Sequence, residues 1–178
     1  MSNIIIFYST TDGHTREICN RLKQVIEQNG NHVTVFSMQD GFQMDLEPFD
    51  KIVIGASIRY GKHNPQVVAF IRKNVQILER KPSAFFSVNA VARKPQKSQP
   101  ETNPYLQKFL KKIPWRPKAL AVFAGKIDYP RYGLFDRMMI RLIMWITKGP
   151  TDPTAVVEFT DWKQVEAFGR LIGENKVD

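Results

Sequence analysis

Residues 4–15 read Ile4-Ile5-Ile6-Phe7-Tyr8-Ser9-Thr10-Thr11-Asp12-Gly13-His14-Thr15, and the fold turns on how they are read. Five consecutive apolar residues suit a strand buried on both faces. The run stops in hydroxyl residues with one glycine, and a helical spacing begins at once, with Ile18, Leu22, Val25 and Ile26 on one face. A strand feeding a hydroxyl-rich loop and a helix N-terminus offers free backbone N–H groups, a favourable dipole and Ser/Thr donors, all suited to a phosphate. Neither G-x-G-x-x-G nor G-x-x-x-x-G-K-[ST] is present. The alternative reading is a capped strand-to-helix turn without a ligand.

Working outward, strands and helices alternate. Residues 15–28 are predicted helical and end at Asn29-Gly30-Asn31, with Gly30 suited to the position past a helix end. Strands are predicted at 32–36, 51–56, 83–88 and 119–124. Helices are predicted at 65–78, carrying Val68, Ile71, Val75 and Leu78 inward, at 104–113, and at 161–173, where Asp161 caps and Val165, Phe168, Leu171 and Ile172 are buried. Five strands alternating with helices imply an α/β fold: a doubly wound five-stranded parallel sheet in the order 2-1-3-4-5, in one domain over residues 1–178. The loops after Tyr8, Ala56 and Val88 then share the rim beside the topological switch point, where ligands bind. Residues 93–104 read as a polar, proline-rich surface loop. Residues 126–153 form an insertion around the fifth strand, followed by a short strand at 155–159. An insertion of that length is functional or disordered, and its aromatic content argues against disorder.

Composition narrows the class. No apolar stretch is long enough to span a bilayer, and the N-terminus reads as lacking a secretory signal. A single cysteine, Cys19, fits a reducing compartment and a packed thiol beside Ile18 and Leu22. One Cys and three scattered His make no metal-ligand cluster. The net charge of +9 is local: residues 93–149 hold thirteen Lys or Arg against three Asp or Glu. This asymmetry implies an anionic partner (nucleic acid, acidic lipid or acidic substrate) or a solvated basic face. No Ser/His/Asp set, paired carboxylates or HExxH is visible, so any chemistry falls to a cofactor.

The stretch 135–147, FDRMMIRLIMWIT, is a mostly apolar helix on which Arg137, Arg141 and Lys148 form a narrow basic stripe. It suits a membrane interface, the wall of an apolar ligand pocket lined by adaptable methionines, or plain packing on the sheet. In the loop 57–63, Tyr60 suits a flat ring system, Gly61 lets backbone approach closely, and Arg59 or Lys62 suits an anion.

Several segments carry a family resemblance: FYSTTDGHTREI, VIGASIRYGKH, SAFFSVNAVARKP, YPRYGLFDRMMIRLIMWITKG and PTDPTAVVEFTDW. The first resembles the flavodoxin phosphate loop. Together they resemble the bacterial flavodoxin-like, menaquinone-dependent protoporphyrinogen IX dehydrogenase family over nearly the whole chain. The resemblance implies a flavodoxin-like fold and an FMN cofactor. It implies oxidation of protoporphyrinogen IX to protoporphyrin IX in three two-electron steps in haem synthesis, with electrons passed to menaquinone or ubiquinone. It also implies a peripheral position on the cytoplasmic face of the inner membrane, with no nucleic-acid partner; self-association is a further expectation.

FMN contacts are expected from Ser9, Thr10, Thr11, Asp12, Gly13, His14 and Thr15, from Ser57, Ile58, Arg59, Tyr60 and Gly61, and from Ser87, Val88, Asn89, Ala90, Val91, Ala92 and Arg93. Arg93 would favour the reduced, anionic flavin. Arg93, Arg131 and Arg137 are the expected propionate partners. Asp12 departs from the flavodoxin loop, which has threonine there. A carboxylate repels a phosphate, so Asp12 is expected to turn away and cap the following helix. The rival readings are an FMN electron carrier without its own substrate and a nucleic-acid-binding module. The basic insertion counts against the first, and the absence of a recognised binding motif against the second.

Overall fold

The computed structural model describes residues 1–40 and 43–174. In chain order the elements are β1 (Asn3–Ser9), α1 (His14–Gln28), β2 (His32–Ser37), β3 (Lys51–Arg59), β4 (Lys62–His63), α2 (Pro65–Lys73), α3 (Val75–Arg80), β5 (Ser83–Asn89), α4 (Pro104–Leu110), β6 (Ala119–Ala124), β7 (Lys126–Asp128), α5 (Leu134–Ile146), β8 (Val156–Glu158) and α6 (Trp162–Gly173). The five long strands pair in parallel in the spatial order β2-β1-β3-β5-β6, the expected doubly wound arrangement.

The apolar run of β1 explains the layering. Ile4, Ile5, Ile6 and Phe7 are all fully buried, and the period-2 alternation of a strand sends them to opposite faces. Ile4 and Ile6 join α1 and α6 residues Ile18, Leu22, Val165 and Phe168. Ile5 and Phe7 join Val67, Phe70, Leu106 and Phe109 on the other side. Each such side chain contributes about 1.5–3 kcal/mol on burial. On the first face, a Cβ at Gly55 would lie 2.1 Å from the Phe86 ring, so that strand position admits only glycine without rearrangement. Lys51, buried at the start of β3, donates from Nζ to the Ile172 carbonyl at 2.5 Å. Its charge thereby meets the C-terminal end of α6.

Three local expectations need correction. The helix predicted at 65–78 is broken at Asn74, whose Nδ2 donates to the Phe70 carbonyl and competes with the helical ladder. Its buried face is Val67, Phe70, Ile71 and Leu78; Val68 and Val75 pack only at the margin. The helix predicted at 104–113 stops at Leu110, and Arg116 collects the Leu110 and Ile113 carbonyls. The segment read as an irregular loop carries two short 3-10 turns, Ala90–Arg93 and Pro95–Lys97.

Cys19 is buried beside Ile18 and Leu22, and burial pushes its thiol far above the ordinary range. It is a packed residue, not a nucleophile. The insertion has its own small core of Ile127, Tyr129, Tyr132, Ile140 and Met144, seated on the antiparallel pair β7–β8. No helix among the described residues is long and apolar enough to cross a membrane.

Candidate functional site

The C-terminal ends of β1, β3, β5 and β6 border a cavity of about 420 Å³, which lies at the switch point between β1 and β3. Four chain segments build it.

The first is the loop after β1. Gly13, at φ +89°, makes the left-handed turn that opens α1, and its N–H donates to Thr10 Oγ1 at 3.0 Å. Thr10, Thr11, Asp12, His14 and Thr15 line the cavity. Thr15 is almost fully buried, and its Oγ1 has no hydrogen-bond partner. His14 is fixed on both ring nitrogens. The Thr160 hydroxyl, which donates to the Ala124 carbonyl, lies 2.6 Å from Nε2, and the Glu17 carboxylate lies 3.0 Å from Nδ1. Asp12 does not cap α1. It pairs instead with Arg59, Oδ2 to Nη2 at 2.5 Å, which corrects the expected role and leaves its charge answered.

The second segment, expected as a loop or a turn with a surface tyrosine, is a hairpin. Tyr60 (φ +52°) and Gly61 (φ +74°) both take left-handed conformations and join β3 to β4, as a two-residue type I′ turn requires. A bulky residue there is strained. Tyr60 is held by a hydrogen bond from its hydroxyl to Asp136 at the start of α5. Ser57, Ile58, Arg59, Tyr60 and Gly61 all line the cavity. Arg59 also lies 3.7 Å from Asp136 through Nη1 and over the Tyr132 ring, yet Nη1 makes no hydrogen bond.

The third segment follows β5. Val88, Asn89, Ala90 and Val91 line the cavity. Asn89 accepts from the Ala92 N–H and exchanges hydrogen bonds with Asn103, which fixes the turn. Beneath it, His63 Nε2 meets Ser87 Oγ at 2.9 Å against the rings of Phe85 and Phe109. Burial there pushes the His63 pKa down to about 4, so this imidazole is neutral at pH 7.

The fourth segment is the insertion. Met139, Ile140, Ile143 and Met144 of α5 form an apolar wall, joined by Tyr132, Ile127, Lys126, Gly125 and Tyr105. The helix begins and ends with fasteners. Asp136 meets Tyr60 and Arg59, and beyond the C-terminus Lys148 at φ +57° lets the Gly149 N–H reach the Met144 carbonyl at 2.7 Å. On the opposite face Leu134, Phe135, Met138, Leu142, Trp145 and Ile146 are exposed, Trp145 by 72%.

Several expected contacts are not in the cavity lining. Ser9 and Ser87 are buried within their strands, Gly13 shapes the turn, and Ala92 packs in the core. Arg93 donates to the Ala90 carbonyl and to the carbonyl and hydroxyl of Thr147, so it clamps the end of α5 rather than facing the cavity. Arg137 donates to the Tyr129 and Tyr132 carbonyls, and Arg141 to that of Thr151. The expected basic stripe is therefore turned onto loop backbone, and Lys148 lies beyond the helix. Arg131 is exposed beside a small recess shared with Asp12, His14 and Lys126. Of the lining that sequence reading passed over, Gly125 and Lys126 follow β6 directly, where the strand-end rule itself points. Tyr105 had no such signal.

The two buried side-chain polar atoms left without partners among the described residues, Thr15 Oγ1 and Arg59 Nη1, belong to lining residues at the hydroxyl-rich end. The opposite wall is apolar. The cavity thus suits a ligand with an anionic end and a broad apolar body, in the size range of about 300–1,000 Å³ usual for small-molecule sites.

Comparison with known proteins agrees. A model described as Flavodoxin domain matches residues 5–154. Among solved structures, a flavodoxin from the domain Archaea superposes with a TM-score of 0.54 at 16% identity, covering 98% of each chain. Oxidised Flavodoxin 1 from Bacillus cereus does so at 0.56 and 16%, covering 98% of this chain and 99% of that one. Both share the fold. Protoporphyrinogen IX dehydrogenase [quinone] of Escherichia coli (strain K12) is 45% identical over 168 residues, 94% of this chain and 93% of the relative. The protein of the same name from Leishmania major is 41% identical, over 92% of this chain and 71% of its own length. The chain belongs to the flavodoxin domain family and, within it, to the protoporphyrinogen IX dehydrogenase [quinone] group.

Proposed function

We propose that this protein binds FMN in the cavity and oxidises protoporphyrinogen IX to protoporphyrin IX, delivering the electrons to a quinone. One observation carries the reading: a hydroxyl-rich loop on a helix N-terminus and an apolar insertion helix face the same cavity from opposite sides. When bound, FMN supplies the two-electron acceptor chemistry that no side-chain set here supplies.

The residues present fit that cofactor. Thr10, Thr15 and the backbone N–H groups around Gly13 suit its phosphate. Tyr60 and the Val88–Val91 backbone suit its ring system. Met139, Ile140, Ile143 and Met144 exclude water and adapt to an apolar macrocycle. Lys126, in the lining, and Arg131, in the adjoining recess, are the cations placed for substrate carboxylates. The exposed outer face of α5 supports a peripheral position on a membrane surface, where a lipophilic quinone is met.

The test is anaerobic. Purified protein with FMN, protoporphyrinogen IX and a menaquinone analogue should generate porphyrin fluorescence at a quinone-dependent rate; no rate above the protein-free control refutes the reading. Flotation with vesicles containing anionic lipid tests the surface, and a Leu134→Ser/Phe135→Ser/Trp145→Ser variant should stay with the soluble fraction while binding FMN normally. If the wild type instead elutes as a dimer and ignores vesicles, the face joins two copies.

A further inference from the structure

The cavity's anionic end carries a charge conflict. Asp12 stands in the loop offered to a phosphate, next to Thr11 and Gly13, and its carboxylate is itself part of the lining. Left alone, it would repel a dianion bound in the same loop. The structure answers it from another element. Arg59, at the end of β3 and forty-seven residues away, binds Asp12 through Nη2. Its side chain is only 18% exposed. Asp136 stands 3.7 Å from Nη1 without making a hydrogen bond, and the rings of Tyr60 and Tyr132 lie 5.9 Å and 5.3 Å from Cζ. The guanidinium is therefore held by one face and one edge, and Nη1 is buried beside the Asp136 carboxylate without a hydrogen-bond acceptor, in a residue of the cavity lining. The second orphan, Thr15 Oγ1, belongs to the same end of the lining and to a residue that is 1% exposed.

We propose that Asp12 and Arg59 act as one phosphate-recognition unit. Asp12 anchors the guanidinium through Nη2, and Nη1, with Thr15 Oγ1, serves the phosphate group of the cofactor. Arg59 thus does two things: it masks the Asp12 carboxylate and supplies the cationic donor. A buried orphan guanidinium donor costs free energy until an acceptor arrives, and a phosphate is a well-matched acceptor for it. The inference rests on the FMN reading and deepens it, because it assigns part of the discrimination for the phosphate to Arg59, a residue outside the hydroxyl loop.

The experiment compares FMN with riboflavin, which lacks the phosphate, by quenching of flavin fluorescence on titration with apoprotein. Wild type should bind FMN much more tightly than riboflavin. Arg59→Ala should weaken FMN about tenfold to a hundredfold, the range for a hydrogen bond to a charged group, while riboflavin changes by less than about threefold. Retained riboflavin binding reports that the variant is folded. The double variant Arg59→Ala/Asp12→Asn should bind FMN at least threefold more tightly than Arg59→Ala, because the unanswered carboxylate is gone. Equal loss of both flavins in Arg59→Ala, or no recovery in the double variant, would overturn the unit. A wild type that binds both flavins alike would do the same. A wild type that binds neither would overturn the cofactor assignment as well.

Discussion

The two sides of the cavity are built by opposite means. The hydroxyl side is a property of the sheet: short side chains and backbone N–H groups sit on a turn between a strand buried from Ile4 to Ser9 and a 15-residue helix. Its geometry is set by strand register, and any displacement has to disturb the core. The α5 side is a property of the insertion. It is made of long apolar side chains, seated on a small separate core and fastened by Asp136 at one end and by Thr147 and Gly149 at the other. The first side fixes where a charged group goes; the second adapts to whatever lies against it. A fold shared with flavodoxins can therefore keep one side and acquire a new chemistry by rebuilding the other.

This contrast predicts where damage should be felt. The largest effect is expected from Ile143→Asp, which places a charge in the apolar wall. Porphyrinogen oxidation should fall at least about a hundredfold, roughly 2.7 kcal/mol of activation free energy, while the thermal unfolding of the sheet stays intact. Unfolding of the whole chain would break the contrast.

On the scaffold side, His63 should govern acid stability. Its pKa is depressed in the folded protein to about 4, against about 6.5 unfolded, so between those values the unfolded chain binds more protons. Its contribution is fully present above pH 6.5 and is lost as pH falls toward 4, by up to about 3 kcal/mol. Urea unfolding at a series of pH values measures the slope, and His63→Gln should flatten it. Gly55→Ala should cost about 2–3 kcal/mol of global stability through overpacking against Phe86, read as a lowered urea midpoint with unchanged slope. Asp136→Asn should cost only about 1 kcal/mol; it should show as faster hydrogen exchange in α5 and little change elsewhere. The smallest effect belongs to Met144→Leu, a volume-conserving change in an adaptable wall, below about 1 kcal/mol. A loss of activity from it greater than that from Ile143→Asp would reverse the roles assigned to the two sides.

The sheet was legible because its signals are local. The run at Ile4–Phe7, the spacing of Ile18, Leu22 and Ile26, and the cap at Asp161 each lie within one element. The insertion was legible as a helix; of the roles weighed for it, a pocket wall matches one face of α5, and the opposite face is apolar and exposed. Less legible were the partners of individual charges. Arg93, Arg137 and Asp12 were judged by residue type and position in the chain, but each is engaged by a partner that sequence does not display: the Thr147 carbonyl, the Tyr129 carbonyl and Arg59. What holds the turn at Tyr60-Gly61 is not local either, since tyrosine is a poor turn former and is held there by Asp136, seventy-six residues away.

The arginines that hold carbonyls have a consequence beyond architecture. Arg93, Arg116, Arg137 and Arg141 bond neutral acceptors, and a carbonyl orders a guanidinium without cancelling its charge. Part of the positive field of this third of the chain is thus mounted on held guanidinium groups rather than on swinging side chains. An approaching anionic body meets it with little conformational entropy left to lose, and from a distance set by the Debye length. Capture of such a body should therefore quicken steeply as ionic strength falls, while its escape rate, governed by short-range contacts, should hardly change.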